Sequence, residues 1–287
     1  MRCNICPRAC LVERGKQVGY CGQSDKIRIS KVMFHHYEEP IISGGKNEKG
    51  SGAIFFTGCN LKCCFCQNYP ISHKNKGKTI TIKKLAKIMF RLEKKGALNI
   101  NLVTPSHFSQ QIIDALKIYK PTIPIVWNSN GYETKEVIEK LKDFVDVYLV
   151  DLKYMSNELS QKYSKANNYV EAATTAIKQM KQNQPKDIIE NGLIKKGLII
   201  RHLVLPTHTN DSLKCLDFIN NEIGKDSIVS LMSQYEPRYD ANKFEEINRK
   251  ITPLEYKRVV SYALKLKMEN CFTQDLSSAN SKYTPKF

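Results

Sequence analysis

Cys59, Cys63 and Cys66 stand in the spacing C-x3-C-x2-C, on a stretch that directly follows the apolar segment 53–56. Three thiolates on one short loop can each hold one iron of a cubane 4Fe–4S cluster, because soft sulfur ligands suit such clusters. A fully protein-ligated cubane takes four cysteines. With three, one iron keeps an open position, as a catalytic metal site keeps one for its substrate. The competing reading is three buried or zinc-binding cysteines. Zinc favours paired C-x2-C knuckles closed by four ligands, and this loop has no second knuckle close by. Cys64 lies inside the motif but fits neither gap, and reads as a packing residue or as one that supports the ligands from behind.

A second set lies near the amino terminus: Cys3, Cys6, Cys10 and Cys21. Cys6-Pro7 and Cys21-Gly22 supply the turns that a small metal knuckle needs. Four thiolates would close a site around zinc or an auxiliary iron–sulfur cluster, and spacing does not choose between the two. The first residues, Met1-Arg2-Cys3-Asn4, lack the apolar core of a signal peptide. Ten cysteines in such a chain read as metal ligands or reduced thiols of a cytoplasmic protein rather than as a disulfide framework.

The elements that must position these groups follow from periodicity. After residue 50, short apolar runs alternate with helical patterns, the mark of βα units around a parallel sheet. Strands are expected at 53–56, 100–103, 123–127, 145–150, 198–205 and 227–232. The first helix begins at Thr81 and presents Ile82, Leu85, Ile88, Met89 and Leu92 on one face. Further helices are expected at 108–119, 134–142, 156–182, 211–223 and 253–268. Residues 183–197 read as a polar connection, and 277–287 lack periodicity. No stretch reaches the roughly 20 apolar residues of a membrane span.

The cysteine motif, with Phe65 before its last cysteine, resembles the radical S-adenosylmethionine (SAM) superfamily. That resemblance implies a partial (β/α)6 TIM-type barrel, here an α/β fold with a small N-terminal Cys-rich metal-binding extension. The expected division is extension 1–50, barrel 51–270 and tail 271–287. It also implies SAM chelated at the open iron and cleaved by one electron to a 5′-deoxyadenosyl radical that abstracts hydrogen. Ligands in such folds sit at the C-terminal ends of the strands, so the residues there matter most. Trp127-Asn128-Ser129-Asn130-Gly131 and Asp151-Leu152-Lys153 resemble strand ends of the pyruvate formate-lyase activating enzymes. Carried over, Asp151 and Ser129 would be oxygen ligands of a monovalent cation and Lys153 the partner of the SAM carboxylate. Asn128 stands where that group has Asp, which weakens a cation site. Where many members have Gly-Gly-Glu, this chain has Thr104-Pro105-Ser106, and Thr104 would hold the SAM amino group through carbonyl oxygen. Arg201 points into the barrel toward the same carboxylate. His107 reads as a solvent-facing helix-entry residue with a catalytic role as the alternative. His202 reads as structural, and Gln234 and Tyr235 as pocket residues. The four N-terminal cysteines together with His35-His36-Tyr37-Glu38-Glu39-Pro40 resemble the start of homologues of those activating enzymes.

The net charge is +17 with 41% hydrophobic residues. The charge invites an acidic protein or nucleic-acid partner, but the lysines are spread and no arginine-rich, aromatic-interleaved patch appears. The resemblance implies a protein substrate that accepts a glycyl radical, and a flavodoxin or ferredoxin as reductant. Modification of RNA or a small molecule is the alternative. A non-enzymatic iron–sulfur or zinc module is the third, and the strand-end residues speak against it.

Overall fold

β-Branched runs buried on both faces make parallel strands, and the amphipathic segments between them make the helices that cover the sheet. The computed structural model describes residues 2–45, 47–280, 285 and 287. The chain enters through β1 (Arg28–His35) and a short helix α1 (Pro40–Ser43), then β2 (Ser51–Phe56) and α2 (Tyr69–Ser72). β3 (Lys78–Thr79), α3 (Ile82–Lys94), β4 (Ile100–Val103) and α4 (Ser109–Ile118) follow. Next come β5 (Ile125–Ser129), α5 (Lys135–Lys140), β6 (Val147–Asp151), α6 (Asn157–Ser164) and α7 (Tyr169–Asn183). The chain closes with β7 (Ile188–Glu190), β8 (Leu193–Leu203), α8 (Thr209–Phe218), β9 (Ile228–Met232), α9 (Pro253–Lys265) and β10 (Cys271–Thr273).

The strand order is β10-β9-β8-β6-β5-β4-β2-β1-β3, with β7 paired to β8. The six expected strands are β2, β4, β5, β6, β8 and β9, and they run parallel in that order. This is the partial barrel. β10 extends it in parallel at one edge, and β1 extends it antiparallel at the other. Outward residues such as Trp127, Tyr148 and Val150 pack under the helices in the main core. Inward residues Val126, Val147, Leu149, Ile199 and Ile228 fill the barrel floor with Ile42 of α1. Residues 28–43, read from sequence as extension, therefore supply an edge strand and the floor plug. Pro40 begins that plug helix, a position where its missing N–H is no loss.

Two local departures have physical causes. The helix expected at 156–182 breaks after Ser164, where Lys165 takes the left-handed conformation (φ +57°). The connection at 183–197 contains a hairpin, because Asn191 and Gly192 both take positive φ (+52° and +75°), the conformation of a type I′ turn. Residues 281–284 and 286, part of the aperiodic 277–287 segment, lie outside the described residues. The Thr81 reading stands: its side chain accepts from the Lys84 N–H at 3.1 Å, and Leu85, Met89 and Leu92 are buried.

Candidate active site

The cysteine loop leaves β2 through Gly58, whose φ is +81°. A Cβ there would come within 2.5 Å of the Cys21 carbonyl oxygen, so only glycine lets the loop pass the N-terminal segment. Cys63 is buried and Cys59 and Cys66 partly so, and none of the three forms a disulfide. Their sulfurs meet donors. Asn130 Nδ2 lies 3.2 Å from Cys59 Sγ, Ser164 Oγ 3.0 Å from Cys63 Sγ, and Ser72 Oγ 3.2 Å from Cys66 Sγ. Burial raises the thiol pKa of Cys59 and Cys63 and pushes Cys66 up to about 12. Such thiols stay protonated until a metal charge displaces the proton. Three soft donors on one loop, met by hydrogen-bond donors, fit a three-thiolate iron–sulfur cluster.

Beside this loop the strand ends carry a charge network. Lys153 Nζ lies 2.7 Å from Asp151 Oδ2, and Arg201 Nε 2.9 Å from Asp151 Oδ1. Arg201 Nη1 reaches Glu38 Oε2 at 3.0 Å and Nη2 reaches Asn128 Oδ1 at 2.6 Å. Asn101 and Asn128 donate to the other Glu38 oxygen at 3.0 and 3.2 Å. Burial alone would raise the Asp151 pKa, but Arg201 and Lys153 hold it below the usual range. Burial would likewise lower Arg201, but Asp151, Glu39 and Glu38 raise it. Lys153 is raised by Asp151 and Cys63 against the same penalty.

A cavity of about 220 Å³ opens at these strand ends. Its wall contains Cys63 and Cys66 together with every polar residue singled out from the sequence for cofactor binding: Thr104, Asn128, Ser129, Asp151, Lys153 and Arg201. Gln234 and Tyr235 line it as expected, and Glu38 joins them. Thr104 has φ +58°, a true outlier for a β-branched residue. Strain of this kind persists where surrounding structure over-determines it, and it clusters at ligand sites.

Several expectations change. Arg201 does more than face a ligand: three of its five N–H groups meet Asp151, Glu38 and Asn128 and tie the strand ends together. Of the oxygens expected to hold a monovalent cation, those of Asp151 pair with Lys153 and Arg201, and Ser129 Oγ accepts the Gly131 N–H at 3.0 Å. His107 is buried at 2% exposure rather than solvent-facing. Its Nε2 donates to the Thr57 carbonyl at 2.6 Å, and burial lowers its pKa to about 3. His202 is structural, as expected, held between the Leu152 carbonyl and Ser212 Oγ at 2.7 and 2.8 Å. Cys64 packs in the core. Sequence reasoning missed Glu38, Asn130, Ser164 and Ser72 as site residues. Glu38 and Asn130 lie within the motifs that carry the family resemblance, but nothing local marks where their side chains go.

The N-terminal cysteines lie apart from the cavity wall. Cys10 Sγ and Cys21 Sγ flank Gly19, 3.4 and 3.5 Å from where its Cβ would be. Burial pushes Cys6 up to about 12 and raises Cys21, which also feels Cys3 and Cys10. Arg8 ties this segment to the cysteine loop through the Asn60 carbonyl at 2.7 Å. Among the described residues no group of three or more His, Cys, Asp or Glu side chains is arranged to hold a metal ion as it stands.

A sequence model of the radical SAM superfamily matches residues 53–219. The chain belongs to the radical SAM superfamily. It is 34% identical over 280 residues to the uncharacterized protein MJ0674 of Methanocaldococcus jannaschii, covering 93% of this chain and 75% of that one. Streptococcus suis SuiB, solved bound to its precursor peptide SuiA, aligns with TM-score 0.52 at 15% identity, over 77% of this chain and 48% of SuiB. HydG, a maturase of the FeFe-hydrogenase, aligns with TM-score 0.51 at 15% identity, over 75% of this chain and 48% of HydG. The chain spans about half the length of these two structures, and at such identities the likeness is one of fold. As a radical SAM protein it is an enzyme whose class uses a 4Fe–4S cluster and SAM. Among the described residues no helix is long and apolar enough to cross a membrane.

Proposed function

We propose that this radical SAM enzyme cleaves SAM reductively and takes hydrogen from a protein partner, as the activating enzymes of glycyl radical enzymes do. One observation carries the SAM-cleaving part: a single cavity joins Cys63 and Cys66 to the charged strand ends. Cys59, Cys63 and Cys66 would hold the cluster. When bound, cluster and SAM supply a one-electron cleavage of the sulfonium carbon–sulfur bond, with flavodoxin or ferredoxin as the class of reductant. The chain's own part is to bind and orient. Lys153 is the cation suited to the SAM carboxylate, since its ammonium gives one hydrogen bond to Asp151 and carries three donors. Asp151, itself fixed by Arg201, holds it in place. The Thr104 backbone, forced into its unusual conformation beside the cavity, offers carbonyl oxygen to the amino group. The protein partner rests on the resemblance of the Asn128–Gly131 and Asp151–Lys153 strand ends.

Anaerobic reconstitution tests the reading. Reduced protein with SAM is expected to release 5′-deoxyadenosine, and Cys63→Ala to release none. Normal turnover by that variant would overturn it. The partner is sought by affinity capture from anaerobic extract, where recovery of a glycyl radical enzyme supports the finer assignment. Recovery of RNA instead would favour the nucleic-acid reading that the charge of +17 invites.

The N-terminal cysteines are proposed to hold a second metal, zinc or an auxiliary iron–sulfur cluster. Four free thiols within one short segment support this, and binding would draw together sulfurs that do not yet converge.

A further inference from the structure

Cys59, Cys63 and Cys66 each meet a polar side chain, and the three side chains come from three different parts of the fold. Asn130 follows β5, Ser164 ends α6, and Ser72 ends α2. We propose that Asn130, Ser164 and Ser72 form a donor shell that raises the reduction potential of the cluster held by the three cysteines. The inference rests on the cluster assignment above.

Orientation matters first, since a hydroxyl or amide can turn away from sulfur. Further partners hold Ser164 and Asn130, and Ser72 is held when His73 carries its proton on Nδ1. Tyr154, fully buried, places its hydroxyl 2.8 Å from Ser164 Oγ. With Tyr154 donating to that oxygen, the Ser164 hydrogen is directed to Cys63. The Tyr132 N–H donates to Asn130 Oδ1 at 3.0 Å. That contact fixes which end of the amide faces Cys59, because only Oδ1 can accept. The Asn130 Nδ2 group also reaches Asn60 Oδ1 at 2.8 Å. His73 Nδ1 lies 2.8 Å from Ser72 Oγ. In the tautomer with the proton on Nδ1, it donates to Ser72 and leaves the Ser72 hydrogen for Cys66. Partners that orient the groups around a metal site are part of its design.

The effect on potential follows from charge. One-electron reduction adds a negative charge to a buried cluster. Dipoles with hydrogen toward sulfur stabilise the more negative state more than the less negative one. Hydrogen bonds to the sulfurs are among the terms that set cluster potentials. The shell makes the cluster easier to reduce in a site where burial opposes added charge.

The test is a redox titration of the reconstituted holoenzyme followed by electron paramagnetic resonance, with iron and sulfide counted beside it. Ser164→Ala, Ser72→Ala and Asn130→Leu are expected to lower the midpoint at unchanged iron content. At a poise near the wild-type midpoint, the reduced-to-oxidised ratio should fall several-fold, where tenfold corresponds to about 59 mV for one electron. Ser164→Thr, which keeps the hydroxyl, should stay near wild type. Tyr154→Phe leaves Ser164 in place but unoriented, and should shift the midpoint in the same direction by less. If Ser164→Ala fails to take up iron, Tyr154→Phe decides. Unmoved midpoints at full iron content would overturn the shell. A wild-type protein that forms no iron–sulfur chromophore would instead overturn the cluster assignment beneath it.

Discussion

Arg201 Nη1 lies 3.0 Å from Glu38 Oε2, across 163 positions of sequence. With Asp151 bonded to both Arg201 and Lys153, two cations and two carboxylates balance within this bonded network. Arg201 therefore ties the framework together, and Lys153 is the cation proposed above to meet the SAM carboxylate.

Lys153→Ala and Arg201→Ala should separate these roles. Lys153→Ala leaves Asp151 paired with Arg201. It should keep the fold, the iron and the cluster spectrum while weakening SAM binding by roughly 10- to 150-fold, or about 1.5–3 kcal/mol for one charged contact. Arg201→Ala leaves Glu38 and Asp151 short of a partner, and breaking a buried pair costs about 3–5 kcal/mol. It should lower the denaturation midpoint well beyond Lys153→Ala. SAM titration beside chemical denaturation checks both. Unchanged SAM affinity in Lys153→Ala would mean that the carboxylate is held elsewhere.

Acid should destabilise the fold through its buried histidines. Burial lowers His107 to about 3 and His202 to about 4, against about 6.5 in an unfolded chain. Between pH 6.5 and 4 the unfolded state binds the extra proton, so stability is full above pH 6.5 and falls as pH drops. The slope is about 1.4 kcal/mol per pH unit for each histidine. Asp151, whose folded pKa is depressed, loses its contribution only below the ordinary carboxylate range. Urea midpoints at pH 7 and pH 5 read the effect. His107→Gln, whose amide can still donate to the Thr57 carbonyl, should flatten the slope by one histidine's share.

A variant lacking Cys59, Cys63 and Cys66 should still bind zinc or iron stoichiometrically through Cys3, Cys6, Cys10 and Cys21. Metal analysis after anaerobic reconstitution checks it. A protein with no metal would show that the amino-terminal thiols act only in packing.

Thr104→Gly should relieve backbone strain at φ +58°, a conformation that glycine adopts freely. Denaturation should show stability held or gained, while SAM affinity falls as the strand end loses its fixed geometry. An affinity equal to wild type would remove Thr104 from the site.

The cysteine loop, the six parallel strands and the strand ends Asn128–Ser129 and Asp151–Lys153 could be read from the chain because each is a contiguous segment. Period-2 and period-3.6 patterns are local, and a strand end follows once its strand is placed. The Asn191-Gly192 hairpin was equally local, but the polar run around it was read as a plain connection although its turn residues mark a hairpin. Other relationships were decided by tertiary structure alone. Glu38 meets Arg201 because α1 plugs the barrel floor and sets Glu38, two residues before the helix, against β8. Ser164 reaches Cys63, 101 positions away, because the helix breaks at Lys165. Asn130 meets Cys59, 71 positions away, because the end of β5 lies beside the cysteine loop. Local sequence determines which residues share a face, but packing determines which face meets which. Here the charge balance and the sulfur contacts both live on those long-range meetings.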